Sequence, residues 1–181
     1  MKVINLFAGP GAGKSTTAAA VYAELKARGY NAELAREWPK GVVWDGYLNA
    51  LEDQVYILGK HYRELARFKR GGVEVVVSDS PLLLGLVYSN EGPNFTRYTM
   101  ELHERFDNMN FFVQRQRPYN PRGRVQSQPE ARLLDGNIRR LLSEYAVIEV
   151  PGDARAVHII CDKFPRRAHL DTCICRECRD Q

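Results

Sequence analysis

No apolar run in this chain of 181 residues approaches the length of a membrane-spanning helix. The opening apolar stretch, Lys2 to Phe7, is too short and too quickly followed by glycine to act as a secretory signal. Cysteine is missing from the first 160 residues and then occurs four times, at Cys161, Cys173, Cys175 and Cys178. A cytoplasmic setting is the expectation, and it argues against structural disulfides. No internal repeat is visible, and the length makes one domain the natural count.

Hydrophobic residues make up 44% of the chain, enough for a sizeable core. They fall into alternating strand-like and helix-like segments. Lys2–Phe7 reads as a buried strand, and Lys14 to Arg28 as a helix with Val21, Tyr22 and Leu25 on one face, ended by Gly29. Asn31–Ala35 is a second strand. A long helix is expected from Tyr47 to Lys69, because Leu48, Leu51, Val55, Leu58, Tyr62, Leu65 and Phe68 recur at steps of three and four. Val73–Asp79 is a β-branched strand, and Leu82–Tyr88 reads as helical. Phe95, Thr99, Leu102 and Phe106 mark another helix, Asn110–Val113 a fourth strand, and Ala131 to Leu142 the next helix. Val147–Val150 and a last helix after Pro151-Gly152-Asp153 complete the pattern. Such alternation predicts an α/β fold, a parallel sheet covered by helices on both faces. Because the first strand leads through Gly13-Lys14-Ser15 into a helix, the expected form is the P-loop NTPase sheet of five strands in the order 2-3-1-4-5, with residues 1–165 as the domain.

The first strand runs directly into Ala8-Gly9-Pro10-Gly11-Ala12-Gly13-Lys14-Ser15-Thr16 and then a helix. This is the order of a phosphate cradle, in which backbone N–H groups and the helix macrodipole face an anion. The Walker A pattern has glycine where this chain has Ala8, while Gly9 and Gly11 keep the loop permissive. Gly9, Gly11, Ala12, Gly13, Lys14, Ser15 and Thr16 are the candidate nucleotide-binding residues. Lys14 would reach the β- and γ-phosphates of ATP, and the Ser15 hydroxyl would ligate Mg²⁺. A nucleoside triphosphate also fits the cytoplasmic expectation.

In such a sheet the ligand crevice lies at the carboxyl ends of the strands. Asp79 ends an apolar strand, where a carboxylate can hold Mg²⁺ beside Ser15. Glu37 follows the second strand and would serve as a base toward an acceptor hydroxyl. Net charge is +4 and unevenly placed: Arg115, Arg117, Arg122 and Arg124 fall within ten residues, and Arg132, Arg139 and Arg140 follow. The segment from about 114 to 129 lacks a hydrophobic period and reads as an arginine-rich lid. Its Arg115, Arg122 and Arg124 are candidates to stabilise charge on a transferring phosphoryl group and to exclude water. Lys163, Arg166 and Arg167 form a second basic group, suited to phosphates or to a solvated surface. Gln54 on the long helix could pair with the edge of a base. Trp38, Trp44, Tyr47, Tyr56 and Tyr88 could stack on a ring, or simply pack. The tail from 166 to 181 is basic and cysteine-rich, and His169, Cys173, Cys175 and Cys178 could together hold Zn²⁺.

Gly13-Lys14-Ser15, Glu37-Trp38, Asp53-Gln54, Asp79-Ser80-Pro81 and the arginine-rich loop, in this order, resemble the P-loop nucleoside-kinase group. The chain is similar to deoxynucleoside kinases and nicotinamide-riboside kinases. It resembles most the small phage-encoded P-loop ATPases of that type, through Asp79-Ser80-Pro81-Leu82-Leu83-Leu84 and Pro118-Tyr119-Asn120-Pro121-Arg122-Gly123-Arg124. The resemblance implies that Glu37 is the catalytic base, that Gln54 reads a nucleobase with Trp38 and Tyr88 nearby, and that the lid covers the phosphates. Deoxynucleoside kinases carry Arg after the acid where this chain has Asp79-Ser80. The implied activity is ATP- and Mg-dependent phosphorylation of a hydroxyl on a nucleoside, nucleotide or similar small molecule. Two alternatives stand beside it. One is a phage kinase acting on a hydroxymethylated base in DNA, with nucleic acid as partner; the other is a P-loop ATPase acting as a switch. No membrane partner is expected.

Overall fold

The computed structural model describes residues 1–35, 53–116, 119–120 and 126–167. Five strands form one sheet: β1 (Lys2–Phe7), β2 (Ala32–Ala35), β3 (Val75–Ser78), β4 (Asp107–Gln114) and β5 (Val147–Pro151). Every pairing is parallel, in the expected order β2-β3-β1-β4-β5. The described helices are α1 (Lys14–Ala27), α2 (Gln54–Arg70), α3 (Pro93–Glu104), α4 (Gln128–Leu141) and α5 (Arg155–Cys161), with 3₁₀ turns at Leu82–Val87 and Leu142–Glu144.

Parallel strands covered on both faces must be apolar on both, and β1 is buried from Val3 to Phe7. The two-residue period then divides the core. Ile4, Leu6, Val75, Val77, Phe111 and Val113 face α1 and α5, where Val21, Leu25 and Ile160 are fully buried. On the other face, Val3 and Val76 meet Leu58 and Leu65 of α2 and Leu102 of α3. Phe7 and Phe112 meet Leu83, Leu84 and Ile138. Each such side chain contributes about 1.5–3 kcal/mol on burial.

Several local expectations are corrected. The long helix begins at Gln54, not Tyr47, because Asp53 is its N-cap and accepts the Tyr56 N–H at 2.8 Å. Residues 47–52 lie outside the described residues. The buried stripe of α2 is Gln54, Ile57, Leu58, His61 and Leu65, while Val55 is 56% exposed. Leu82–Val87 forms a 3₁₀ turn. β4 begins at Asp107 rather than at Asn110, so Asn108 belongs to it beside Asn110. Their side chains are satisfied inside the sheet: Asn5 Nδ2 donates to Asn108 Oδ1 at 2.9 Å and to Asn110 Oδ1 at 3.1 Å.

The second basic group is largely occupied within the molecule. Arg167 donates to both carboxylate oxygens of Glu74 at 2.7 and 2.8 Å, and its guanidinium lies 4.1 Å from the Tyr30 ring centre. Arg166 pairs with Glu24 at 3.6 Å. These contacts close the last described residues onto α1 and the start of β2.

Two histidines sit in the core with depressed basicity. Burial pushes both His61 and His103 down to about 4. His61 Nε2 has no hydrogen-bond partner among the described residues, and His103 packs edge-on against Tyr145 at 5.7 Å. The unfolded chain therefore binds more protons between about pH 4 and pH 6.5, and stability falls as pH drops through that window. About 2 kcal/mol is expected to be lost per histidine between pH 8 and pH 5. Urea midpoints measured at both pH values check this. His61→Leu is expected to remove about half of the difference; an unchanged difference would contradict the account.

Candidate active site

The sheet order brings three strand ends to one edge. β3 and β4 flank β1, so Asp79 and Arg115 emerge on either side of the loop that follows Phe7. Glu37 lies two residues beyond the end of β2, outside the described residues.

The loop turns through Gly11 (φ 81°) and Gly13 (φ 105°), left-handed conformations that glycine adopts without strain. Gly13 is the N-cap of α1 and supplies no side-chain cap, and no acidic residue occupies the first turn. The N-cap side chain therefore does not cover this terminus, where the positive end of the helix dipole lies. By contrast, Ser127 and Glu130 form a capping box on α4. Gly9 and Ala12 are buried, and Ser15 and Thr16 are exposed at the first turn of α1. Lys14 is 9% exposed and its Nζ donates to Ala8 O at 2.7 Å, so the side chain folds back along the loop.

Asp79 is 4% exposed, and its Oδ1 has no hydrogen-bond partner among the described residues. A buried carboxylate oxygen with nothing to accept from is costly unless a cation or donor serves it. Its negative charge is also felt by Glu64 on α2. Burial raises the Glu64 carboxyl above its ordinary value, Arg67 opposes this, and Asp79 adds to it. Ser15 and Asp79 are a donor set suited to Mg²⁺, which prefers oxygen ligands and keeps several waters. Among the described residues no group of three or more His, Cys, Asp or Glu side chains could hold a metal ion. The suggested zinc ligands, His169, Cys173, Cys175 and Cys178, lie outside the described residues.

Arg115 is drawn onto the loop: its Nη1 donates to Pro10 O at 2.8 Å, and its Nε and Nη2 donate to Asp135 Oδ2 at 3.2 and 3.0 Å. Tyr119 covers Gly11, since a Cβ there would stand 2.9 Å from the ring, and its hydroxyl donates to Gln126 O. Arg117, Arg122 and Arg124 lie outside the described residues, as do Trp38, Trp44 and Tyr47. Gln54 is buried at the start of α2, with Oε1 3.4 Å from where a Cβ on Gly85 would stand. Tyr88 ends the same 3₁₀ turn and is 41% exposed. Tyr56 is exposed.

Three contributors were not legible as site residues. Asp135 on α4 touches both the loop and Arg115. Glu64 lies within the influence of Asp79. Gly152 packs its backbone against the loop, since a Cβ there would stand 2.6 Å from Ala12 O and 2.5 Å from Gln114 O. A lone acid in a charged helix and a glycine after a strand carry no pattern that would mark them.

The parallel sheet order, the glycine-rich loop after β1 and the acid after β3 define a P-loop α/β fold. Two solved structures of deoxyadenosine kinase from M. mycoides are similar to the chain. One, with dATP bound, is 19% identical with a TM-score of 0.54, covering 90% of this chain and 98% of that one. The other, with the products dCMP and a flexible dCDP bound, is 18% identical with a TM-score of 0.51, covering 90% and 97%. At these identities the likeness is one of fold. No protein family and no curated protein matches the sequence.

Proposed function

We propose that the protein is an ATP- and Mg-dependent kinase that transfers the γ-phosphate to a hydroxyl of a nucleoside, nucleotide or related small molecule. The observation that carries this reading is the buried Asp79 Oδ1, without a hydrogen-bond partner among the described residues, directly after β3, the strand that pairs with β1 ahead of the Gly13-Lys14-Ser15 loop. The fold shared with a deoxyadenosine kinase that binds dATP supports it.

Ser15 and Asp79 would hold Mg²⁺, which when bound offsets the negative charge of the outer phosphates. The α1 terminus receives the inner phosphates, and Lys14 leaves Ala8 O to reach the outer ones. Glu37 takes the proton of the acceptor hydroxyl as its oxygen bonds to the γ-phosphorus. The bond from that phosphorus to the β-γ bridging oxygen breaks, and ADP departs. Arg115 and the lid residues Arg122 and Arg124 meet the charge that spreads over the equatorial oxygens. Gln54, Trp38 and Tyr88 would receive a planar acceptor group.

Asp79→Asn is expected to lower turnover by about 10²-fold and to raise the Mg²⁺ concentration needed for half-maximal rate, with little change in melting temperature. Magnesium titration of the initial rate checks this. An unaltered magnesium dependence would remove Asp79 from the metal site. Glu37→Gln is expected to lower turnover more than ATP affinity, and a loss confined to ATP affinity would remove Glu37 as the base.

A further inference from the structure

Asp135 belongs to none of the motifs that mark the loop, yet its carboxylate joins the loop to Arg115. Oδ1 accepts the Gly9 N–H at 2.6 Å. Oδ2 accepts from Arg115 Nε at 3.2 Å and from Nη2 at 3.0 Å. The remaining arm of the guanidinium, Nη1, donates to Pro10 O at 2.8 Å. The side chains of Arg115 and Asp135 are only 11% and 19% exposed, so the pair is largely shielded from water and salt. Helix α4 is seated directly on the loop: a Cβ on Gly9 would stand 2.5 Å from Ala131 O and 2.8 Å from Asp135 Oδ1.

The cations on this arm of the loop indicate which end of a nucleotide it faces. Lys14 Nζ rests on Ala8 O and Arg115 Nη1 on Pro10 O. The inner phosphates belong to the amides at the start of α1, and a loop lysine of this kind serves the outer ones. Ala8–Pro10 therefore borders the outermost phosphate. An untethered arginine loses rotamer entropy when it grips a ligand. One already held by a carboxylate and a carbonyl loses less.

We propose that Asp135 is a positioning residue. It holds Arg115 at the outermost phosphate, so that the site favours a nucleoside triphosphate over the diphosphate. The proposal rests on reading the loop as a nucleotide site and assigns it a discrimination that the loop motif alone does not supply.

The test is direct titration of the full chain with ATP and with ADP, in magnesium, without acceptor. Wild type is compared with Arg115→Ala, Asp135→Asn and the double variant. Asparagine keeps an oxygen for the Gly9 N–H and removes the charge that orients Arg115. Asp135→Asn is expected to weaken ATP binding about tenfold while ADP affinity stays within about twofold. Because Asp135 acts through Arg115, the double variant is expected to bind ATP no more weakly than Arg115→Ala. Should Asp135→Asn fold poorly, Asp135→Glu keeps the charge one methylene away, and an intermediate ATP-selective loss is expected. Equal losses for ATP and ADP, an unchanged ATP affinity, or additive effects in the double variant would overturn the proposal alone. A wild-type chain that binds neither nucleotide would overturn the nucleotide-site reading together with it.

Discussion

Lys14→Ala is expected to lower phosphoryl transfer by about 10²–10³-fold, the scale on which a single preorganised cation acts in a water-poor site. The wild-type side chain is buried, and its ammonium donates to a backbone carbonyl, Ala8 O, at 2.7 Å. That is a resting contact, weaker than the pairing a phosphate would offer. Losing it costs the empty fold about 1 kcal/mol, partly offset because alanine is the better helix former at the start of α1. The variant should therefore melt within a few degrees of wild type while its transfer rate collapses. Rate and melting temperature measured on the same preparation separate the two effects. A folded Lys14→Ala protein with unaltered turnover would contradict the assignment of the loop.

Gly152→Ala is expected to act through the fold. A methyl group there would lie 2.5 Å from Gln114 O and 2.6 Å from Ala12 O, and neither backbone carbonyl can rotate away as a side chain would. Either β4 must part from the segment after β5, or the loop must move. Overpacking of this kind costs about 1–3 kcal/mol. For a chain of this size the melting temperature should drop by about 3–10 °C. Because Ala12 lies within the cradle, nucleotide affinity should fall as well. Thermal melts with and without ATP test both parts, and an unchanged melting temperature with normal ATP stabilisation would show that the contact relaxes freely.

The parallel sheet was legible because short strand-like runs, β-branched in Val75–Val77 and Val147–Val150, alternate with longer segments of helical period. The loop was legible because Gly13-Lys14-Ser15 sits between strand and helix, and the five-stranded order followed from it. The phase of α2 was misread for a physical reason. Periodicity scores apolar residues, but the buried stripe begins with Gln54 and passes through His61, polar groups that face the 3₁₀ turn and the core, while Val55 points to solvent. β4 was shortened in the same way, since Asn108 looks like a loop residue until Asn5 is found bonded to it. Within the site, Asp79 was predicted from its place after β3. Asp135 could not be, because its partners Gly9 and Arg115 are 126 and 20 positions away in the chain.

The most direct test of the kinase reading is transfer of labelled γ-phosphate from ATP. The acceptors are pooled nucleosides, nucleoside monophosphates, nicotinamide riboside and DNA carrying hydroxymethylated bases, with Lys14→Ala as the blank. Label on a small-molecule acceptor, lost in Lys14→Ala, is the predicted result. Label on DNA alone would move the acceptor to the polymer, and label only in free phosphate would contradict the kinase reading in favour of a P-loop ATPase.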